Sequence, residues 1–321
     1  MRLRRALHAI RILFTLGVLA AGGLYFYRHG AEFQVLTQVK PLDFLAVVAG
    51  LALVFLATGL TFYLLVRTIG VDLDLGEWVG LTFVSNALNY LVPIRPGVVA
   101  KATYLKRKAG TRYSRFSSVL AAKAVLFVGT TAVLGLLVLV VVRPSSRYAS
   151  LMAAVCVSLT LAALVPLYVP LYRFRRSGRL FEILNNAVNG FAEIRAQRGR
   201  TLWIAASILL QHWVSGLVCI VAYRALDFEI SLPIALVVVT FASIANVLAI
   251  TPNNIGIQEL VMAYTYMIAG LDFQQGLLGA ALIRAGHVAL TFLVSPWFVY
   301  WLMSARKLRL VNVLTDDRQL M

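Results

Sequence analysis

The sequence predicts an all-α integral membrane protein with about six full spans and two re-entrant broken hairpins in an inverted-topology repeat. Three observations lead to that fold class. Hydrophobic residues make up 60% of the chain, its basic residues are grouped between apolar runs, and one proline-broken apolar pattern occurs twice. A soluble globule of 321 residues cannot bury that much apolar surface. We therefore expect a single membrane domain covering residues 1–321.

Six apolar runs are predicted to cross the membrane, because each is long and poor in charge. The first run follows an arginine-rich start, so a signal peptide is an alternative interpretation. Its aromatic end and the polytopic remainder of the chain favour a retained span instead. The six runs occupy residues 12–27, 44–66, 116–142, 149–172, 202–223 and 275–305.

Two further apolar segments are interrupted by proline and glycine in the same way. The first reaches its break after residues 78–92, about 22 Å of helix, which is too short for a full crossing. Both segments have Phe-x-Ser followed by Pro-x-x-x-Gly, and we interpret both as hairpins; the alternative is that each proline only kinks an ordinary span. The matched residues are Phe83, Ser85, Pro93 and Gly97 in the first segment and Phe241, Ser243, Pro252 and Gly256 in the second.

The distribution of positive charge predicts the orientation of these segments. The chain has 30 Lys and Arg against 13 Asp and Glu, a net charge of +17, and cytosolic loops carry the excess of Lys and Arg. If the N-terminus, residues 95–115, residues 173–200 and the tail are all cytosolic, the two hairpins must enter from opposite sides. The predicted repeat pairs residues 12–142 with residues 149–305, and residues 173–200 form a cytosolic basic segment. We expect the cell (plasma) membrane, with both termini in the cytosol.

Several kinds of site are not expected. The charges lie in loop blocks typical of contact with anionic lipid, so no nucleic-acid partner is predicted. Cys156 and Cys219 lie in apolar runs, which excludes a disulfide framework and a cysteine-rich metal site. His212 and His287 lack a second ligand at useful spacing and are interpreted as packed or cavity-lining residues. With no nucleophile–base pair or carboxylate cluster, no enzyme, catalytic residue, metal or cofactor is predicted.

Basic residues inside apolar spans mark the candidate binding site. Lys123 and Arg284 each follow a hairpin break by about 30 residues, and a charge at the bilayer centre costs about 2.5 to 3.5 kcal/mol. Such a residue usually faces a cavity or a partner, although snorkelling to the interface is the alternative. Glu259 is placed to pair with Arg284 or, alternatively, to act as an interfacial carboxylate at a helix start.

The first hairpin has no acid that matches Glu259. Basic side chains there, together with the backbone N–H groups after Gly97, favour a bound anion such as a phosphate; the alternative is that Arg95 and Lys101 are loop charges attracted to lipid headgroups. The predicted substrate-binding residues in the first half are Asn86, Asn89, Arg95, Gly97, Lys101 and Lys123. Those in the second half are Pro252, Asn253, Asn254, Gly256, Glu259 and Arg284.

These motifs resemble a flippase-like family that includes the transmembrane region of lysylphosphatidylglycerol synthases, the membrane module of the bacterial multiple peptide resistance factors. The family signature P-g-R-x-G-E-x-x-R corresponds to PIRPGVVAK at residues 93–101, and P-G-G-x-G-x-x-E corresponds to PNNIGIQE at residues 252–259. Val98 replaces the first acid, Lys101 replaces arginine, and Asn253 and Asn254 replace the glycine pair. The chain resembles a stand-alone form without the soluble transferase domain.

The resemblance implies movement of a polar lipid between leaflets, or a related step in handling lipid-linked sugars. We expect a flippase for a polar or anionic lipid, either a phospholipid or a polyprenyl-phosphate-linked one. Two alternatives remain open: a transporter of a small anion or other solute through the same hairpins, and a non-transporting membrane partner of a lipid or glycan synthase. The expected partners are membrane lipids with anionic headgroups, with a homo-oligomer or a synthase partner left open.

Overall fold

All regular elements in the described part of the chain are helical. The computed structural model describes residues 34–91, 95–143, 148–168, 197–248 and 251–316. The predicted span at residues 12–27, the turn residue Pro93 and most of the basic segment 173–200 lie outside the described residues.

Nine α-helices occur within these ranges, together with 3-10 turns at Gln34–Gln38 and Pro252–Asn254. The first half contains α1 (Pro41–Arg67), α2 (Leu75–Leu91), α3 (Pro96–Ala109) and α4 (Tyr113–Val142). The second half contains α5 (Ala149–Tyr168), α6 (Arg198–Arg224), α7 (Leu232–Leu248), α8 (Ile257–Ile268) and α9 (Phe273–Asp316).

Four helices are long and apolar enough to cross a membrane. They are Pro41–Thr68, Tyr113–Val142, Gly199–Arg224 and Phe273–Ser304, with mean hydropathies of 1.8 to 2.8. They coincide with four of the six predicted spans. The helices at Ala149–Leu164 and Leu232–Val247 are apolar but shorter. The chain is thus a membrane protein with several apolar helices.

Proline and glycine set several helix ends. Pro41 and Pro96 occupy the first positions of α1 and α3, where the missing N–H of proline is not needed by the helix. Gly110 ends α3 with φ +63°, and Gly270 follows α8 with φ +90°. Both lie in the left-handed region that glycine adopts without steric cost.

The helix contacts occur in matched pairs. Helix α1 packs against α6, α2 against α9, and α7 against α4. The contacts α1–α2, α1–α9 and α3–α4 have counterparts in α6–α7, α6–α4 and α8–α9. If helices α1, α2, α3 and α4 are exchanged in order with α6, α7, α8 and α9, the same set of contacts results. Two repeated halves would pack in this way.

The outer surface of the bundle exposes large apolar side chains. Examples on three long helices are Leu137, Leu217 and Leu293, the last with 78% of its surface accessible. Contiguous apolar surface of this kind is rare on soluble monomers. A membrane would cover it.

Candidate functional site

The two arms of the first hairpin meet backbone to backbone near its turn. A Cβ atom added to Gly97 would lie 2.1 Å from the carbonyl oxygen of Ser85. The N–H of Gly97 donates to Oδ1 of Asn89 at 3.0 Å. The serine and glycine of the repeated motif are therefore the residues that allow α2 and α3 to approach each other, and the amide of Asn89 satisfies one free N–H at the start of α3.

The turn of the second hairpin is built from residues with left-handed backbone. The φ angles of Asn253, Asn254 and Gly256 are +44°, +55° and +83°. Asparagine tolerates this region better than other residues that have a side chain. Asn254 is buried, and its amide donates to the carbonyl of Ala245 and to Oδ1 of Asn246, both at 3.1 Å. The asparagine pair thus supplies the turn where the family signature has glycines.

Glu259 pairs with Arg284 and also lies at the start of a helix. One carboxylate oxygen accepts the N–H of Gly256 at 2.7 Å, capping the start of α8. The other oxygen accepts from Nε of Arg284 in an ion pair, and these side chains are only 13% and 15% exposed. The positive charge of Arg284 is therefore neutralised within the protein.

Arg284 also joins the two hairpins. Its guanidinium donates to Oε1 of Gln258 at 2.9 Å and to the carbonyl of Asn253 at 3.3 Å. A third bond, at 3.2 Å, goes to the hydroxyl of Tyr90 near the end of α2. The same hydroxyl lies 2.7 Å from Nδ1 of His287. Tyr90 was not among the predicted site residues. The sequence feature that could have identified it is an aromatic side chain with a hydroxyl group three residues before Pro93.

A second contact links the hairpin turns directly. Arg95 has left-handed backbone with φ +50° and precedes the first residue of α3. Its guanidinium donates to the carbonyl of Asn246, near the end of α7. The 3-10 turn of the second hairpin in turn contacts α2, so the turn of each hairpin touches the other hairpin.

Three cations lie together on the side of the first hairpin, and we call Arg95, Lys101 and Lys123 the basic cluster. Lys123 repels both Lys101 and Arg95 as a like charge. The ammonium of Lys101 lies 4.4 Å from the ring centroid of Phe62, a favourable cation–π distance. In the described part of the chain, no ion pair with an acid involves any of the three. The cluster is thus a local excess of positive charge.

The remaining polar residues of the site have local partners. The amide of Asn86 donates to the carbonyl of Thr82 at 3.0 Å, within α2. Pro252 opens the 3-10 turn of the second hairpin. His212 is buried between Thr131 and the carbonyl of Ile208, so it is a packing residue. Across the described residues, no group of three or more His, Cys, Asp or Glu is placed to hold a metal ion.

At the open end of the first hairpin, opposite its turn, a buried carboxylate joins α2 to α3. Glu77 in α2 accepts from the hydroxyl of Tyr104 at 2.7 Å and from the ammonium of Lys108, both in α3. It also accepts the N–H of Asp74 at 2.8 Å. Burial raises the pKa of Glu77, but the hydrogen bonds and charge of these neighbours outweigh burial, and the net pKa lies below the ordinary value of 4.5.

Comparisons with known proteins identify a family. No curated protein and no solved structure matches the chain significantly. The chain matches the family described as "Lysylphosphatidylglycerol synthase TM region" over residues 9–295, which is most of its length. This protein therefore belongs to the family of the lysylphosphatidylglycerol synthase transmembrane region.

Proposed function

We propose that this protein moves polar or anionic lipids, phospholipids or polyprenyl-phosphate-linked lipids, between the leaflets of the membrane. The observation that carries the proposal is the basic cluster of Arg95, Lys101 and Lys123, which has no acidic ion-pair partner in the described part of the chain. Lys101 and Lys123 are partly buried, and cations held away from bulk water need a compensating charge. A lipid phosphate supplies that charge while its hydrocarbon chains stay in the bilayer. Membership of a lipid-related membrane family supports this choice of substrate.

The two halves of the proposed path differ in charge. Arg284 is already paired with Glu259, whereas the basic cluster is not. An anionic headgroup is therefore expected to bind first at the basic cluster. It reaches the second hairpin when Arg284 exchanges part of its contact with Glu259 for the headgroup.

The contacts between the hairpins define the barrier in this mechanism. Arg95 bonds to Asn246, and Tyr90 bonds to Arg284 and His287. A headgroup passes only if these contacts open, so the described state is assigned as one in which the turns are closed on each other. Rocking of the two halves opens them in turn.

The proposed orientation places the hairpins on opposite sides of the plasma membrane, with both termini in the cytosol. The matched helix contacts and the paired breaks at corresponding positions support an inverted repeat. Single cysteines introduced by Lys106→Cys and Glu229→Cys lie at the open ends of the two hairpins, where both native residues are exposed. They are expected to react with a membrane-impermeant thiol reagent from opposite sides. Reaction from the same side would contradict the orientation.

The direct test uses the full chain in liposomes. Fluorescent phosphatidylglycerol should become accessible to a membrane-impermeant quencher faster than in protein-free liposomes. Lys123→Gln removes a charge from the basic cluster and should slow this movement about tenfold, the worth of one charge-assisted hydrogen bond. Lys106→Gln is the matched control, because Lys106 is an exposed cation on α3 outside the cluster.

The outcomes separate the classes of function. Lipid movement equal to protein-free liposomes, or equal loss in both lysine variants, would contradict a lipid path through the basic cluster. Uptake of inorganic phosphate without lipid movement would assign a solute transporter.

We further propose that the protein has no catalytic activity of its own, and that its partners are anionic lipids rather than nucleic acid. Native mass spectrometry tests for self-association or a synthase partner.

A further inference from the structure

A cavity of about 360 Å³ lies at the open end of the first hairpin, away from the basic cluster. Its described lining includes arginines from three different helices: Arg67 at the end of α1, Arg115 in the first turn of α4, and Arg200 in the first turn of α6. Asp72 is the one acid among its described lining residues. These described lining residues carry three positive charges and one negative charge.

The cavity wall is held in place by hydrogen bonds to the backbone. Nη1 of Arg200 donates to the carbonyl of Arg67 at 2.9 Å, and the amide of Gln197 donates to the carbonyl of Thr68 at 3.0 Å. Nε of Arg67 pairs with Asp72 at 3.0 Å. Within the described residues, these contacts use one nitrogen of each of the two guanidinium groups. Their other N–H groups can donate to a ligand, and the groups are already positioned.

The cavity lies where three candidate spans end. The span Pro41–Thr68 finishes at it, and the spans Tyr113–Val142 and Gly199–Arg224 begin at it. The end of a span marks the boundary between hydrocarbon and headgroups. A ligand in this cavity is therefore at the depth of lipid phosphates and is also reachable from water.

We propose that this cavity is a second anion site that binds a phosphate group, carried by a membrane lipid or free in solution. Guanidinium groups match the oxygens of phosphate with paired donors and stay charged at all physiological pH values. The volume falls in the range of small-molecule pockets, about 300 to 1,000 Å³, and accommodates a phosphate together with a polar headgroup. Helix α2, with 17 residues or about 25 Å of length, separates the cavity from the hairpin turn.

The test compares two exposed arginines that lie three residues apart in the chain. Arg115→Gln removes a lining charge, and Arg112→Gln removes an exposed charge that does not line the cavity. The full chain in a neutral detergent is titrated with inorganic phosphate, with sodium chloride at matched ionic strength as reference, and its melting temperature is followed. Native mass spectrometry measures retention of phosphatidylglycerol against phosphatidylcholine in parallel.

We expect Arg115→Gln to weaken binding of the phosphate-bearing ligand about tenfold and Arg112→Gln to leave it unchanged. A phosphate-dependent rise in melting temperature assigns free phosphate as a ligand, and selective retention of phosphatidylglycerol without that rise assigns a lipid source. Arg200→Lys, which keeps the charge but loses the planar fork, provides a second variant and should weaken binding by a smaller factor. No selective binding of either ligand, or equal loss in the variants of Arg112 and Arg115, would overturn the proposal.

Discussion

Replacing Glu259 by glutamine tests whether the ion pair with Arg284 holds the second hairpin together. The substitution removes the negative charge but keeps a side-chain oxygen that can accept the N–H of Gly256. The capping bond is therefore preserved, and the change acts mainly on the charge of the pair. Arg284 is left without its carboxylate in surroundings where its side chain is 15% exposed.

The expected loss follows from that burial. Removing one partner of a buried ion pair costs about 3 to 5 kcal/mol, because the remaining charge is uncompensated. Arg284 keeps its bonds to Gln258 and Tyr90, so we expect the lower end, about 3 kcal/mol in the free energy of unfolding. Glu259→Gln combined with Arg284→Gln removes the orphaned charge. The double variant should therefore lose less stability than the two single variants added together.

The assay is unfolding of the full chain in mixed micelles by sodium dodecyl sulfate, followed by fluorescence of its five tryptophans. Asp72→Asn is the matched control, because it breaks an ion pair with Arg67 whose side chains are 79% and 43% exposed. An exposed pair contributes about 0 to 1 kcal/mol. If Glu259→Gln costs no more than the control, or if the double-mutant cycle shows no coupling, the buried pair does not stabilise the hairpin.

Two further predictions concern the first hairpin. Gly97→Ala should destabilise the protein by about 2 kcal/mol or more, because the new methyl group would lie 2.1 Å from the carbonyl oxygen of Ser85; thermal unfolding measures this loss. The stability should also fall as pH drops below about 4.5, because the pKa of Glu77 is lower in the folded protein than its ordinary value. Its contribution is fully present above the unfolded pKa and is lost as pH falls through the folded pKa, where the carboxylate becomes protonated; unfolding titrations at several pH values measure the slope.

Each of these two predictions has its own control. Gly199→Ala introduces a methyl group with no atom within 4 Å inside a helix, and should be neutral or slightly stabilising. A Gly97→Ala variant as stable as this control would refute the close approach of the two arms. For the carboxylate, the stability difference between the native chain and Glu77→Gln should shrink in acid, and a difference that stays constant with pH would refute its ionised, hydrogen-bonded state.

Much of the architecture follows from the sequence alone. The lengths of the apolar runs and the placement of charge predict the membrane class and four spans that coincide with long apolar helices. They do so because burying unpaired backbone groups and charges in hydrocarbon is costly, which leaves few possible arrangements of the chain. Each copy of the repeated motif, Phe-x-Ser followed by Pro-x-x-x-Gly, falls at a pair of short helices, α2 and α3 or α7 and α8. The pairing of Glu259 with Arg284 was also predictable, because each is the charge available to the other in an apolar neighbourhood.

Which side chains meet across the two halves depends on how the helices pack. Residues 197 positions apart, Tyr90 and His287, form a hydrogen bond, and no periodicity along the chain encodes such a contact. The contact of Arg95 with Asn246 and the convergence of three arginines on one cavity are of the same kind. The local elements can be predicted from the chain alone, since helix length, turn chemistry and the cost of membrane insertion depend on neighbouring residues. Only packing of the helices brought the distant charges together, because side-chain contacts between helices depend on their relative placement in space.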